Sequence, residues 1–366
     1  MGKYFTFFVV VTLIISLGCK HATPVKYGLT DARIRHFGRT FVSENGLELI
    51  TSASGIVFDY EGDSCSILFN NLSGPGNHGY ASIELDGQYV GRYKISDVAG
   101  QCIRIGAKLQ QRHVVKVFKA TEAQNGRISI QSIEAPRLVT TQASSPYRIE
   151  FIGNSITCGM GSDTSYLSCG AGQWYDQHNA YFSYACITAR ALNAIPMLSA
   201  VSGIGAYRNW NSEGPVMPDV YTNLELGTDS TQLWNFGEYT PDIVSICLGT
   251  NDFSDGDGVQ HRNPFDSVTF IDRYLELVNT VYTQYRTPQI VLIASPMLSG
   301  EKSARLIRHL NQIALRYNSL KINRPPIKIF QFQTMVPGGC SYHPSKEDHQ
   351  ILAVQLIPFL KSFLKS

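Results

Sequence analysis

Three reactive side chains stand in short, polar, Gly-containing segments: Ser155 in Gly153-Asn154-Ser155-Ile156-Thr157, Asn251 in Gly249-Thr250-Asn251-Asp252, and His343 in His343-Pro344. Each follows an apolar run: Ile149-Glu150-Phe151-Ile152 before Ser155, Asp242 to Leu248 before Asn251, and Ile327 to Phe332, through a Gly-rich turn, before His343. Short apolar runs bounded by turn residues read as buried strands. In an open parallel sheet, ligands bind in the crevice at the carboxyl ends of the strands. A hydroxyl, an amide and an imidazole delivered to one such edge are the nucleophile, oxyanion donor and general base of acyl-ester hydrolysis. Each residue alone also has a plain structural reading: Ser155 as a helix cap, Asn251 as a turn residue, His343 as part of a polar turn. Their shared placement at strand ends favours the chemical reading.

Strands alternating with helices must carry these residues, and the sequence after Tyr147 has that rhythm. Strands are expected at 148–152, 195–201, 242–248, 289–294 and 327–332, with helices near 179–193, 266–285, 301–319 and 346–364. Asp266 followed by Phe270, Tyr274, Leu275 and Val278 has helical spacing behind a cap. Met160 to Gln177 and Gly205 to Tyr239 show no clear element, and loops of that length in a compact domain are usually functional. Between 25 and 140 the pattern is instead short β runs, such as Gly55 to Tyr60 and Tyr80 to Leu85, with a hairpin turn at Asp86-Gly87. His113 to Lys119 alternates polar and apolar residues, as a half-buried strand does. The expected organisation is therefore an all-β sandwich over 25–140, a polar linker, and an α/β/α domain with a parallel sheet over 147–366. The 366 residues suit two domains.

Composition narrows the partners. Apolar residues at 43% and charged residues at 16% describe a globular chain, and a net charge of +2 leaves no basic footprint for nucleic acid. Aromatic content of 11%, with 19 Tyr, suits a carbohydrate-facing surface and equally a Tyr-rich β core. Residues 1–24 read as a processing segment: Lys3, an apolar stretch from Tyr4 to Leu17, then Ser16-Leu17-Gly18-Cys19. That ending resembles a bacterial lipoprotein cleavage box with Cys19 as the lipid attachment point, and simple secretion is the alternative. Either exports the chain, where disulfides form. Without Cys19 an odd number of cysteines remains, so at least one is free. Cys186 and Cys247 lie in apolar contexts and read as buried thiols. Cys65 and Cys102 are one candidate pair; Cys158 and Cys340 are another, with Cys169 competing for either. With no C-x-x-C and no H-E-x-x-H spacing, no metal or cofactor is expected.

The blocks resemble a known family. Phe151 to Gly161 is similar to the first block of the SGNH (GDSL-type) hydrolases, Ser202-Gly203-Ile204-Gly205-Ala206-Tyr207-Arg208-Asn209 stands in the place of the second, Gly249-Thr250-Asn251-Asp252 matches the third, and His343-Pro344 the last. Cys158 after Ile-Thr, the Arg208-Asn209 pair, Gly339-Cys340 before the His and a preceding β-sandwich resemble carbohydrate esterase family 2. The resemblance implies a jelly-roll-like sandwich followed by an SGNH α/β/α domain. It also implies removal of acetyl groups from hemicellulose polysaccharides and oligosaccharides, of the acetyl xylan and glucomannan type, through an acetyl-serine. Carried over, Ser155 is the nucleophile and His343 its base. The backbone N–H groups of Ser155 and Gly203 and the amide of Asn251 form the oxyanion hole, with Gly205 as the rival of Gly203. Tyr342 is the expected sugar platform, and Arg208, Trp210 and Trp234 are weaker candidates for sugar contact.

One departure stands out. SGNH enzymes commonly place an Asp three residues before the histidine, where this chain has Cys340, and family members that keep a triad acid place it two before, where this chain has Ser341, while some resembling members work as a Ser-His dyad. The expectation is a Ser-His dyad with a backbone carbonyl orienting the ring, and Asp255 or Asp257 is the alternative. Two other functions compete with the deacetylase: a short-acyl lipid or thioester hydrolase, against which the polar, Gly-rich loops argue, and a noncatalytic glycan-binding protein.

Overall fold

The computed structural model describes residues 23–98, 100–140, 145–320 and 323–364. The processing segment, Cys19 and the middle of the linker lie outside the described residues. The first domain contains strands β1 (Val25–Tyr27), β2 (Arg35–Phe37), β3 (Thr40–Ser43), β4 (Gly46–Leu49), β5 (Gly55–Asn71), β6 (Gly79–Leu85), β7 (Gln88–Ile95), β8 (Gln101–Lys119), β9 (Ile128–Ala135) and β10 (Arg137–Val139). They form one ten-stranded antiparallel sheet around a single core. The long strands β5 and β8 pair from Gly55–Phe118 to Phe69–Gln101, with a bulge between Gly62 and Ser64. An extra residue reverses which alternate side chains face inward. Ile56, Phe58 and Tyr60 before the bulge and Cys65, Ile67 and Phe69 after it therefore all enter the same core. Between β6 and β7, Asp86 and Gly87 both have positive φ, 51° and 77°, as a two-residue hairpin turn requires.

The second domain follows the expected alternation: β11 (Tyr147–Gly153), α1 (Ser155–Cys158), α2 (Tyr184–Ala191), β12 (Ala194–Ala200), α3 (Met217–Val220), β13 (Ile243–Ile246), α4 (Ser267–Gln284), β14 (Gln289–Ala294), α5 (Gly300–Asn318), β15 (Lys328–Gln331) and α6 (Lys346–Lys361). All pairings are parallel in the order β12-β11-β13-β14-β15. The chain leaves β11 for one neighbour and later returns to the other, so the strand order reverses at β11, and Ser155 begins the helix at its carboxyl end. That is where an open α/β sheet opens its crevice.

Helices cover both faces. Phe270, Tyr274, Leu277, Val278 and Val281 of α4 pack with Leu306, Leu310 and Ile313 of α5 on one side. Tyr184, Ala185 and Ala189 of α2 pack with Leu352, Leu356 and Leu360 of α6 on the other. Burying each large apolar side chain contributes roughly 1.5–3 kcal/mol. Asp266 caps α4 by accepting from Val268 N and Thr269 N. The expected helix at 179–193 is shorter than anticipated. Asn179 heads a separate 3-10 turn, Ala180–Phe182, and Ser183 then caps α2 by accepting from Cys186 N, so two capping side chains split one run.

The two domains share a packed boundary. Phe37 and Phe118 of the first join Tyr181 and Phe182 of the second, with Phe118 and Tyr181 centroids 5.3 Å apart. Polar contacts pin the loop before α2: Ser82 Oγ donates to Asn179 Oδ1 at 2.8 Å, Tyr80 Oη to Asp176 at 2.9 Å, and Arg92 Nη1 to His178 O at 2.8 Å. Trp234, expected near sugar, is instead 6% exposed in the core, where the buried Arg39 guanidinium lies 5.8 Å from its ring.

Candidate active site

Ser155 is held where β11 turns directly into α1. A side chain at Gly153 would meet Thr157 Oγ1 at 2.1 Å, so only glycine allows that close turn. Asn154, in extended conformation, caps α1 by accepting from Ile156 N at 3.2 Å. Ser155 is nearly buried, and its own N–H, at the first helical position, points out of the helix start with no intrahelical acceptor.

His343 reaches Ser155 across the sheet edge: Nε2 lies 2.8 Å from Ser155 Oγ, and Nδ1 lies 2.7 Å from the carbonyl of Ser341. A carbonyl only accepts, so Nδ1 carries the proton and Nε2 presents its lone pair to the serine hydroxyl. The loop is bent to allow this. Ser341 and Tyr342 have φ of 54° and 57°, the left-handed region that non-glycine residues seldom occupy. Several bonds maintain the bend: Gly339 N to His343 O at 2.8 Å, His343 N to Cys340 O at 3.1 Å, and Cys340 N to Gly161 O at 2.9 Å. Burial pushes the His343 pKa below its ordinary value, opposed by the Ser341 carbonyl, so the ring is the neutral base at pH 7.

Among the described residues no carboxylate bonds the His343 ring. Asp255 is an exposed partner of Lys302 at 2.5 Å, and Asp257 accepts from Val259 N and Gln260 N. Asp252 is fully buried under the second block, accepting from the N–H groups of Ala206, Tyr207 and Arg208 at 2.8–3.2 Å. Burial raises its pKa, and the backbone donors lower it.

Two oxyanion candidates follow β12 and β13, the strands on either side of β11. Gly203 has φ of 81°, and no acceptor among the described residues takes its N–H. The rival Gly205 has its N–H bound to Asn209 Oδ1 at 3.1 Å, and a side chain there would strike Arg208 O at 2.0 Å. Gly205 is thus committed to the loop, and Gly203 remains available. Asn251 donates from Nδ2 to Ile204 O at 2.7 Å, which orients the amide and leaves its second hydrogen. A cleft of about 250 Å³ adjoins Gly203, with polar walls from Gln124, Ser202, Asn209 and Thr228.

Tyr342, beside the base, is 86% exposed, and Trp210 is 46% exposed. Arg208 is braced internally, with Nε on Asp252 O and Nη1 on Asn263 O, both at 2.7 Å, and its guanidinium lies over Tyr207 and Phe265. Sequence reasoning missed Arg262, which joins Asn209 O at 2.8 Å and Asn251 O at 2.6 Å and so ties two blocks together. No spacing or motif marks it. It also missed Trp174, half-exposed in the 160–177 loop with its ring 4.9 Å from that of His178.

Of the cysteine pairings left open by the sequence, the one formed is Cys169–Cys340, in place of Cys158–Cys340. Cys158 faces inward from the one-turn α1 and is fully buried. Cys65 and Cys102 stay free: Cys65 lies opposite Ile105 on β8, while Cys102 lies opposite Leu68, and one thiol points into the core while the other is exposed. Cys186 and Cys247 are free and buried, as their apolar contexts implied. Among the described residues no group of three His, Cys, Asp or Glu is arranged to hold a metal ion.

Comparison with known proteins matches both domains. The family model "Carbohydrate esterase 2 N-terminal" covers residues 36–141, and "GDSL-like Lipase/Acylhydrolase family" covers 151–321, which includes Ser155, Gly203 and Asn251 but stops before His343. The cellulase/esterase CelE of Acetivibrio thermocellus is 27% identical over 88% of this chain, and the match spans 38% of that protein's length. An acetylxylan esterase / glucomannan deacetylase of Cellvibrio japonicus is 24% identical over 92% of this chain and 90% of its own length. A solved family two carbohydrate esterase from Clostridium thermocellum, in complex with cellohexaose, superimposes with a TM-score of 0.78 at 27% identity, covering 90% of this chain and 100% of that one. An acetyl xylan esterase from Butyrivibrio proteoclasticus shares the fold, with a TM-score of 0.80 at 19% identity over 94% of this chain and 100% of that one. The chain thus joins a carbohydrate esterase 2 N-terminal domain to a GDSL-like lipase/acylhydrolase domain, and along nearly its whole length it is similar to family 2 carbohydrate esterases.

Proposed function

We propose that this protein is a serine esterase that removes O-acetyl groups from hemicellulose polysaccharides or their oligosaccharides. The observation that carries the reading is the 2.8 Å contact between His343 Nε2 and Ser155 Oγ, with the opposite ring nitrogen on the Ser341 carbonyl. His343 takes the serine proton as Oγ attacks the acetyl carbonyl. The N–H groups of Ser155 and Gly203 and the Asn251 amide receive the developing oxyanion. As the tetrahedral intermediate collapses and the bond from the acetyl carbon to the sugar oxygen breaks, the imidazolium protonates that oxygen to release the sugar hydroxyl, leaving acetyl-Ser155 and neutral His343. Water, deprotonated by the same ring, releases acetate. The names of the relatives, acetylxylan esterase and glucomannan deacetylase, support the substrate class. So do the exposed aromatic rings of Tyr342 and Trp210, on which a sugar could stack.

Export belongs to the same proposal, with Cys19 as a lipid anchor. It rests on the composition of residues 1–24 and on the Cys169–Cys340 disulfide, which suits an oxidising compartment. Among the described residues no helix is long and apolar enough to cross a membrane. The test is a substrate panel of acetylated xylan, acetylated glucomannan and nitrophenyl esters of increasing chain length. Acetate release from the polysaccharides, abolished by Ser155→Ala, is expected. A preference for long acyl chains, or glycan binding without acetate release, would defeat the reading.

A further inference from the structure

The amide side of Gly203 is held from the other domain. After β8 the chain makes a short 3-10 turn, Ala123–Asn125, with Glu122 at its head. The turn is self-braced: Glu122 N donates to Asn125 Oδ1 and Asn125 N to Glu122 O, both at 3.1 Å. The end of β8 is equally fixed, since Lys119 O accepts from Ala53 N at 2.8 Å and Ala120 O accepts from Ala180 N, across the domain boundary, at 3.0 Å. From this base the Glu122 side chain, 1% exposed, enters the hydrolase domain. One carboxylate oxygen accepts from Ser202 N at 2.7 Å and from Gln124 Nε2 at 3.0 Å, and the other accepts from the Ser202 hydroxyl. The buried Lys119 side chain sits alongside, its Nζ donating to the carbonyls of Thr121 at 3.0 Å and Glu122 at 2.6 Å. A buried carboxylate is costly unless such donors surround it, so this cluster is an organised one.

We propose that Glu122 is a positioning residue for the hydrolase: by clamping the N–H and hydroxyl of Ser202, it aims the next N–H along the chain, that of Gly203, at the oxyanion. The inference rests on the esterase reading above. Gly203 needs such help. It has no side chain, its φ is 81°, and the space beside its Cα is open, so local packing does not restrain it. Its carbonyl is held by Trp210 N at 2.8 Å, and on its other side Glu122 holds Ser202 by the Val201–Ser202 N–H and by the hydroxyl. An oxyanion donor acts only if its direction is set before the charge forms. The β domain thereby completes a site whose reacting groups all belong to the other domain.

The experiment measures kcat and KM for acetyl ester hydrolysis by the full chain, with folding monitored by circular dichroism and thermal melting. Ser155-dependent activity in the unmodified protein comes first, and its absence would sink the esterase reading before the clamp is tested. Glu122→Gln keeps the size but loses the charge and one acceptor. It should lower kcat by about 10–100-fold, less than the ~10²–10³ of deleting a donor outright, with KM changed by less than about twofold. Ser202→Ala, which removes one of the two clamped donors, should lower kcat by roughly 3–10-fold, and the double variant should be no slower than Glu122→Gln, because the two act through one contact. A folded Glu122→Gln variant with unmodified kcat, or with a loss confined to KM, overturns the proposal. If Glu122→Gln does not fold, Ser202→Ala decides alone, and an unmodified kcat there overturns it.

Discussion

His343 takes its orientation from a residue two positions earlier in its own loop: Nδ1 donates to the Ser341 carbonyl at 2.7 Å, while Nε2 faces Ser155 Oγ. The group that usually orients such a ring is a carboxylate. A carbonyl supplies the same directional acceptor without a full negative charge, so it selects the tautomer but stabilises the imidazolium less. The left-handed turn at Ser341 and Tyr342 is what brings that carbonyl round.

Ser155→Ala and His343→Ala should each lower kcat by several orders of magnitude, up to the roughly 10⁶-fold seen when a serine protease loses its nucleophile or base. The double variant should be little worse than either single one, since both serve one proton transfer. Steady-state kinetics on a chromogenic acetyl ester checks this, and near-normal turnover in Ser155→Ala would remove the mechanism.

If Asn251 serves the oxyanion as proposed, Asn251→Ala should lower kcat by about 10²–10³ with a much smaller change in KM, because a donor to the oxyanion meets charge that exists only in the transition state. A pure rise in KM would make Asn251 a binding residue instead.

Asp255→Asn and Asp257→Asn should leave kcat within about twofold, against the ~10⁴ loss expected of a true triad acid. Both side chains are exposed and bonded elsewhere. A loss near 10⁴ in either folded variant would refute the dyad. Asp252→Asn is a different case: it replaces one acceptor oxygen facing three backbone N–H groups of the second block, so its effect should appear as lowered thermal stability together with lowered kcat.

Breaking the Cys169–Cys340 disulfide, by reductant or by Cys169→Ser, should lower kcat by about 10–100-fold while much of the fold persists, because Cys340 directly precedes the carbonyl that orients the base. Activity assayed with and without a thiol, with circular dichroism in parallel, checks this. Full activity after verified reduction would show that the backbone bonds of Gly339, Cys340 and His343 suffice.

Acid should act on activity and stability through different histidines. Burial holds the His343 pKa below its ordinary 6.5, and the base works only when neutral. The acid limb of kcat/KM should therefore fall below pH 6.5, with a plateau at neutrality. His178 and His349 are buried, and desolvation lowers both to about 3. Between that value and the unfolded value near 6.5, the unfolded chain binds more protons. Stability from these groups is thus present above about pH 6.5 and is lost progressively as pH falls toward 3. Denaturant melts from pH 8 to pH 4 check the sign, and stability that rises on acidification would contradict it.

Local pattern was enough for a good deal of this protein. Five apolar runs placed five parallel strands, and the three that end in Gly-Asn-Ser, in Gly-Thr-Asn-Asp and before His-Pro each brought a candidate reactive group, because strand periodicity and turn chemistry are short-range properties. The absence of an acid at positions 340 and 341 was also visible, and with it the expectation of a carbonyl-oriented ring. What the tertiary structure decided depended on residues far apart in the chain. Cys169 rather than Cys158 meets Cys340 because α1 points Cys158 inward while the following loop swings Cys169 to the base. Gly203 is available and Gly205 is not, because Asn209 folds back to occupy one N–H. Arg262 and Glu122 carry no motif, and their roles arise only where loops from different elements converge on backbone groups of the site. A one-dimensional pattern reports which face of a strand or helix is apolar. Which buried donor finds which acceptor is settled when the elements pack, because an unpaired polar group in the interior is too costly to leave.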